Sequence, residues 1–290
     1  MTEPLKKGDL FHIVAASSPI SQKEDLLSGI KVLQEWGLIC NYIEETDRSW
    51  GYLAGSDEDR FNELHPNSHF PLIAFARGGW GSARLLERSQ PWKEGWMIGF
   101  SDLTSILLAR LASGFKGGVH GPLITTLGSE PDWSKDRLKS ILFGNCVPDL
   151  YGDPWGGGVS KGHLIVGNLT ILTHLIGTKY LPNFKKSILI IEDIGEAPYR
   201  IDRMLTHLRL AGILQQLSGL GFGSFTRCDD EQDVDKKTSF ELLDILRDRT
   251  QDLKIPIISN LPIGHCLGNA ALPQGSAATL NGDKGRLSLS

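Results

Sequence analysis

The sequence predicts an α/β protein, with an N-terminal parallel-sheet domain covered by helices on both faces and a smaller C-terminal α/β domain. Three observations carry this expectation. Short apolar runs alternate with segments of helical periodicity, the pattern of strands separated by crossover helices. The 290 residues correspond to two domains at about 150 residues each. Glycine and proline concentrate in YGDPWGGGVS, Tyr151 to Ser160, as an interdomain linker would have them. The expected organisation is a domain over residues 1–150, a linker over 151–160 and a second domain over 161–290.

In chain order, Phe11 to Ala15, Ile39 to Ile43, Leu72 to Phe75 and Met97 to Gly99 are apolar runs of strand length. Between and after them, Lys23 to Trp36 and Thr104 to Ala112 repeat apolar residues at helical spacing. Beyond the linker, Gly167 to Leu175 reads as helix and Ser187 to Glu192 as a buried strand. Tyr199 to Ala211 reads as a helix whose face holds Ile201, Met204, Leu205 and Leu208. Strands are expected at Leu217 to Phe222 and Ile255 to Ser259, with a polar helix over Ser239 to Asp248 between them.

Thirty basic against 34 acidic side chains leave a net charge of −4, which excludes bulk electrostatic capture of nucleic acid. The apolar stretches are too short or too interrupted to span a bilayer, so no membrane partner is expected. The opening MTEPLKKGD lacks the order of a signal peptide, and Cys40, Cys146, Cys228 and Cys266 form no CxxC pair. A cytoplasmic protein is the expectation.

Four loops carry candidate chemistry. In Gly99-Phe100-Ser101-Asp102, a serine follows an apolar run directly and precedes a helix, which pushes its hydroxyl outward and offers the next amide to an oxyanion. The plainer alternative is that Ser101 caps the helix. Arg77-Gly78-Gly79-Trp80-Gly81-Ser82-Ala83-Arg84 follows the third apolar run; its amides could supply a second oxyanion donor or form only a structural turn, and Arg77 could meet a carboxylate or form an ordinary ion pair. Glu192, Asp193 and Glu196 cluster at the end of the Ser187 to Ile191 run, where an acid could orient a histidine or simply favour a helix N-terminus. His120 and His265 both sit in glycine-containing loops after apolar residues, the placement of a general base. No HExxH, CxxC or close histidine pair supplies metal ligands, so neither metal nor other cofactor is expected.

Taken together, RGGWG (Arg77 to Gly81), GFSDLT (Gly99 to Thr104), VHGP (Val119 to Pro122), GNLTIL (Gly167 to Leu172), IEDIGEAPYRIDRML (Ile191 to Leu205) and IGHCLGNAALPQG (Ile263 to Gly275) resemble the LD-carboxypeptidase family of serine peptidases. The resemblance runs nearly end to end and includes Lys7-Gly8-Asp9, Leu53 to Asp57 and Arg60. It implies a cytoplasmic homodimer that removes the terminal D-alanine from muropeptide tetrapeptides in peptidoglycan recycling, without metal. It places the nucleophile on Ser101, the acid on Glu192 and the histidine on His265, in an interdomain cleft. The amides of Asp102 and Gly79 would hold the oxyanion, and Arg77, Arg200 and Arg203 are candidates for the substrate carboxylate. Two departures bear on substrate shape: Val166 precedes Gly167-Asn168 where the family usually has a second glycine, and Trp80 stands where tyrosine is common. The same family contains microcin immunity peptidases acting on acylated nucleotides, which form the alternative reading. A non-catalytic muropeptide-binding protein is the other.

Overall fold

Six strands form the first sheet, in the order Leu272–Pro273, Gly118–His120, Trp96–Gly99, Leu72–Phe75, Leu10–Val14, Ile39–Asn41. This computed structural model describes residues 2–41, 48–229 and 240–290. Five of the strands pair in parallel and Leu272–Pro273 pairs antiparallel, Leu272 opposite His120. Of the expected second strand, Tyr42 and Ile43 lie outside the described residues.

The pleat sends alternate residues of each strand to opposite faces. Phe11, Ile13, Leu72, Ala74, Ile98 and Val119 form one core with Leu26 and Leu33 of the helix Lys23–Glu35, and with Leu138, Ile141 and Leu142 of the helix Asp132–Leu142. On the other face, Gly99 lies so close to Phe75 and to Leu103, just before the helix Thr104–Ala112, that an added Cβ would meet them at 2.9 and 3.2 Å. Helices therefore cover both faces, as the alternating pattern implies.

The order of the parallel strands reverses between Leu10–Val14 and Leu72–Phe75. Loops at the carboxyl ends of strands flanking such a reversal leave a crevice where α/β folds place their chemistry. Residues 15–22 and 76–81 are those loops.

The second unit holds an eight-stranded sheet in the order Leu150–Tyr151, Arg286–Leu289, Ala277–Asn281, Val159–Asn168, Ser187–Ile194, Gly219–Thr226, Ile257–Ser259, Asp153–Pro154. The four consecutive strands from Val159–Asn168 to Ile257–Ser259 run parallel, and antiparallel strands flank them. Ser187 to Asp193 are buried throughout, as expected of an apolar strand covered on both sides. The helix Pro198–Leu210 buries Ile201, Met204, Leu205 and Leu208, the predicted face.

The structure differs from the sequence reading at the domain boundaries. Residues 151–160 are not a free linker: they finish one strand, form the edge strand Asp153–Pro154 and begin Val159–Asn168. Proline suits an edge strand, so the composition of a linker is also that of an irregular sheet edge. The first unit also takes in Lys179–Pro182 and Leu267–Gly275 besides Met1–Pro148: the Tyr180 hydroxyl donates to the Leu86 carbonyl, and Leu272–Pro273 covers the edge of the first sheet. The expected helix Gly167 to Leu175 is shorter, Leu169–His174, because Gly167 and Asn168 still pair with Ile191 and Glu192. The polar helix spans Leu242–Asp248, and Ser239 lies outside the described residues. Among the described residues no helix is long and apolar enough to cross a membrane.

Candidate active site

In the second unit, Glu192 stands at the carboxyl end of the strand Ser187–Ile194, with parallel strands on both sides, and is 0% exposed. Its Oε2 lies 2.7 Å from His265 Nδ1 and accepts the His265 backbone N–H at 3.3 Å. His265 follows the strand Ile257–Ser259, and its backbone carbonyl accepts the Thr226 hydroxyl at 2.6 Å. The ring is thus fixed at Nδ1 and at its own main chain, while its side chain keeps 17% exposure. Gly264 makes this approach possible. Its φ is +104°, and an added Cβ would stand 2.4 Å from Glu192 Oε2, so a side-chain-bearing residue would be both strained and in collision.

Asp193, next to Glu192, points into a different network. Its Oδ1 accepts the Asn168 side-chain amide at 2.9 Å and the Ile194 N–H at 2.8 Å; its Oδ2 accepts the Thr170 N–H and hydroxyl at 2.9 and 2.8 Å. Asn168 Oδ1 in turn caps the helix Leu169–His174 through the Ile171 N–H. Asp193 therefore ties the GNL turn to the strand, and Glu192 is the acid of the pair that meets a histidine. Glu196 pairs with Arg200 at 3.3 Å one helical turn away, and Arg203 lies over the Tyr199 ring at 5.9 Å.

In the first unit, Ser101 follows the strand Trp96–Gly99 by two residues and opens a single 3₁₀ turn, Ser101–Leu103. Its φ is +62°, a left-handed conformation that costs a non-glycine residue about 1–3 kcal/mol and is held by the surrounding structure. The turn and the following helix begin on Phe100 and Leu103, neither with a side-chain cap, so Ser101 is not the helix cap that the plainer reading proposed. The strained strand-to-helix turn is the conformation that presents a serine hydroxyl outward.

Gly78 packs against that serine: an added Cβ would lie 3.1 Å from both Ser101 Cβ and Oγ. Gly79 has a φ of +114° and would collide with Ser18 Oγ at 2.2 Å if it carried a Cβ. Ser18 grips the same loop, donating its N–H to the Gly78 carbonyl at 3.3 Å and accepting the Trp80 N–H at 3.2 Å. Arg77 is partly exposed and donates to the Pro19 carbonyl at 2.9 Å.

Asp102 lies beneath the turn, 1% exposed. Its Oδ2 accepts the Ser17 hydroxyl at 2.6 Å and the Ser82 N–H at 2.8 Å, and burial pushes its pKa up. His120 is fully buried, with its ring edge-on to Phe100 at 5.8 Å. It packs against Phe100 beneath the Ser101 turn, the elbow between strand and helix, in contrast to the partly exposed His265.

The structure thus joins Glu192 to His265 in one unit, and gathers Ser101, Asp102, Gly79 and Arg77 around two neighbouring loops in the other. Sequence reasoning missed Ser17 and Ser18, and gave Ser82 no role beyond its place in the glycine loop. The signal available was the run of small residues Ala15-Ala16-Ser17-Ser18 at the carboxyl end of the first strand, a position where parallel sheets collect functional loops.

Comparison with known proteins gives concordant results. Profiles described as the LD-carboxypeptidase N-terminal and C-terminal domains match residues 11–121 and 161–280. The chain is 41% identical to a provisionally named carboxypeptidase of Synechocystis sp., over 98% of this chain and 95% of that protein. It is 31% identical to the murein tetrapeptide carboxypeptidase of Pseudomonas aeruginosa, over 94% and 93% of the two chains. A solved structure of MccF in complex with glutamyl sulfamoyl guanosine shares the fold, with a TM-score of 0.86 at 21% identity over 100% of this chain and 98% of that one.

Proposed function

Because the chain belongs to the LD-carboxypeptidase family, we propose that it is a serine carboxypeptidase, cytoplasmic and dimeric, that removes the terminal D-alanine from muropeptide tetrapeptides. The observation that carries this reading is the 2.7 Å pair between His265 and a fully buried Glu192. A carboxylate on Nδ1 leaves Nε2 as the basic nitrogen and stabilises the imidazolium that forms when it takes a proton.

In the proposed reaction Ser101 Oγ attacks the carbonyl carbon before the terminal D-residue, and its proton passes to His265 Nε2. The carbonyl π pair moves to oxygen, where the N–H groups of Asp102 and Gly79 stabilise it, each worth about 3–4 kcal/mol in comparable oxyanion sites. Collapse breaks the C–N bond, and His265 returns the proton to the departing amine. Water then attacks the acyl-enzyme with His265 again taking a proton; collapse breaks the bond to Ser101 Oγ, which regains that proton from His265, and frees the tripeptide carboxylate. Arg77, beside the same loop, is the proposed partner of the substrate's terminal carboxylate.

The likeness to MccF supports a second reading, hydrolysis of an acylated nucleotide. Purified protein is incubated with muramoyl tetrapeptide and, separately, with a peptidyl-adenylate mimic. Conversion of tetrapeptide to tripeptide with release of D-alanine is the expected result; turnover of the nucleotide compound alone overturns it in favour of the second reading.

A further inference from the structure

Two buried, oppositely charged side chains in the first unit close on one peptide bond. Arg60, 0% exposed, donates from Nη1 to the carbonyl of Gly81 at 2.8 Å and to the carbonyl of Ala16. Asp102 Oδ2 accepts the N–H of Ser82 at 2.8 Å and the hydroxyl of Ser17 at 2.6 Å. The Gly81 carbonyl and the Ser82 N–H belong to the same planar peptide unit, so the guanidinium holds its oxygen end and the carboxylate its hydrogen end. The same two groups grip the neighbouring loop at Ala16 and Ser17. Asp57 supports Arg60 from behind through Nη2, and the hydroxyls of Ser82 and Ser105, 2.6 Å apart, both donate to the Asp102 backbone carbonyl at 2.7 and 3.1 Å.

What this fixes is the direction of an amide. Ser18, one residue beyond Ser17, donates to the Gly78 carbonyl. In a trans peptide the Gly79 N–H points opposite to that carbonyl, so holding the 16–18 loop sets where the Gly79 N–H aims. Asp102 is covalently next to Ser101, so one carboxylate references both loops to the elbow that carries the hydroxyl.

We infer that Asp102 and Arg60 are positioning residues: together they form a buried clamp that aligns the Gly78–Ser82 loop, and with it the Gly79 N–H, on the Ser101 elbow. The inference rests on the proposed nucleophile and oxyanion roles and adds to them the groups that hold the geometry. A clamp of this kind acts on the transition state more than on substrate binding, because the oxyanion forms only during reaction.

The test compares kcat, KM and thermal melting for tetrapeptide conversion by the unaltered enzyme, Ser101→Ala, Asp102→Asn and Ser17→Ala. Asp102→Asn keeps one acceptor oxygen but puts an NH2 group where Asp102 Oδ1, buried without a hydrogen-bond partner among the described residues, now lies. Ser17→Ala removes one donor and leaves the carboxylate, and it decides the matter by the same criterion if Asp102→Asn does not fold. The expected result is a fall in kcat of roughly 10- to 100-fold in each folded variant, with KM within about twofold. Folded variants with kcat within about threefold of the unaltered enzyme overturn the clamp. An active Ser101→Ala overturns the nucleophile assignment and the clamp with it, whereas an inactive Ser101→Ala beside undiminished Asp102→Asn and Ser17→Ala overturns the clamp alone.

Discussion

His265 Nδ1 and Glu192 Oε2 are 2.7 Å apart, and the same oxygen accepts the His265 backbone N–H, so one carboxylate sets both the ring and its main chain. Glu192→Gln is nearly isosteric but offers no charge to an imidazolium and can favour the wrong tautomer. For the proposed triad, kcat is expected to fall by roughly 10²- to 10⁴-fold, with little change in melting temperature. Steady-state kinetics beside a melting curve check it; an enzyme within about threefold of the original would show that this pair is structural.

Gly264 is the second point of sensitivity. Gly264→Ala places a methyl 2.4 Å from Glu192 Oε2 and 2.5 Å from its Cγ, and strains a φ of +104°. The expected cost is about 1–3 kcal/mol in stability, accompanied by a loss of kcat because Glu192 must move from His265. Denaturant unfolding and kinetics on the folded variant measure the two effects separately. A fully active, equally stable variant would contradict the packing described.

Acid should loosen the first unit through Asp57. Its hydrogen bond from Arg84, assisted by Arg60, holds its carboxyl below the ordinary value of 3.8. A group whose pKa is lower in the folded state contributes stability above its unfolded value, and that contribution is lost as pH falls through the folded one. Melting temperatures taken from pH 7 down to 3 should therefore drop more steeply for the unaltered protein than for Asp57→Asn. Parallel curves would count against the ion pair as a stabilising contact.

The thiols should differ in reactivity. Burial pushes the Cys228 thiol up to about 11, whereas Cys146 is exposed. Alkylation at pH 8 followed by mass spectrometry should modify Cys146 in the native protein and Cys228 only after denaturant is added, since the thiolate is the reactive form. Equal labelling of both under native conditions would contradict the buried placement.

Strand ends made the candidate site residues legible. Ser101, Glu192 and His265 each follow an apolar run, and the alternation of runs with helical segments was enough to place Thr104–Ala112 and Lys23–Glu35. Pairings between residues far apart in the chain were not legible. Leu272–Pro273 is two residues long and takes its strand character from Gly118–His120, about 150 positions away. The Asp153–Pro154 strand reads as linker because edge strands tolerate the same residues as loops. The contact of Ser17 with Asp102 spans 85 positions and leaves no periodic trace, so the carboxylate beneath the elbow was visible only as the neighbour of a serine.

Ser101 is the proposed nucleophile of a carboxypeptidase. The most direct measurement is the amount of D-alanine released, against tripeptide formed, when muramoyl tetrapeptide is incubated with the unaltered protein and with Ser101→Ala. Equimolar D-alanine and tripeptide from the first, and loss of at least about 10³-fold in rate with the second, is the result expected. Equal release by the two proteins would contradict it.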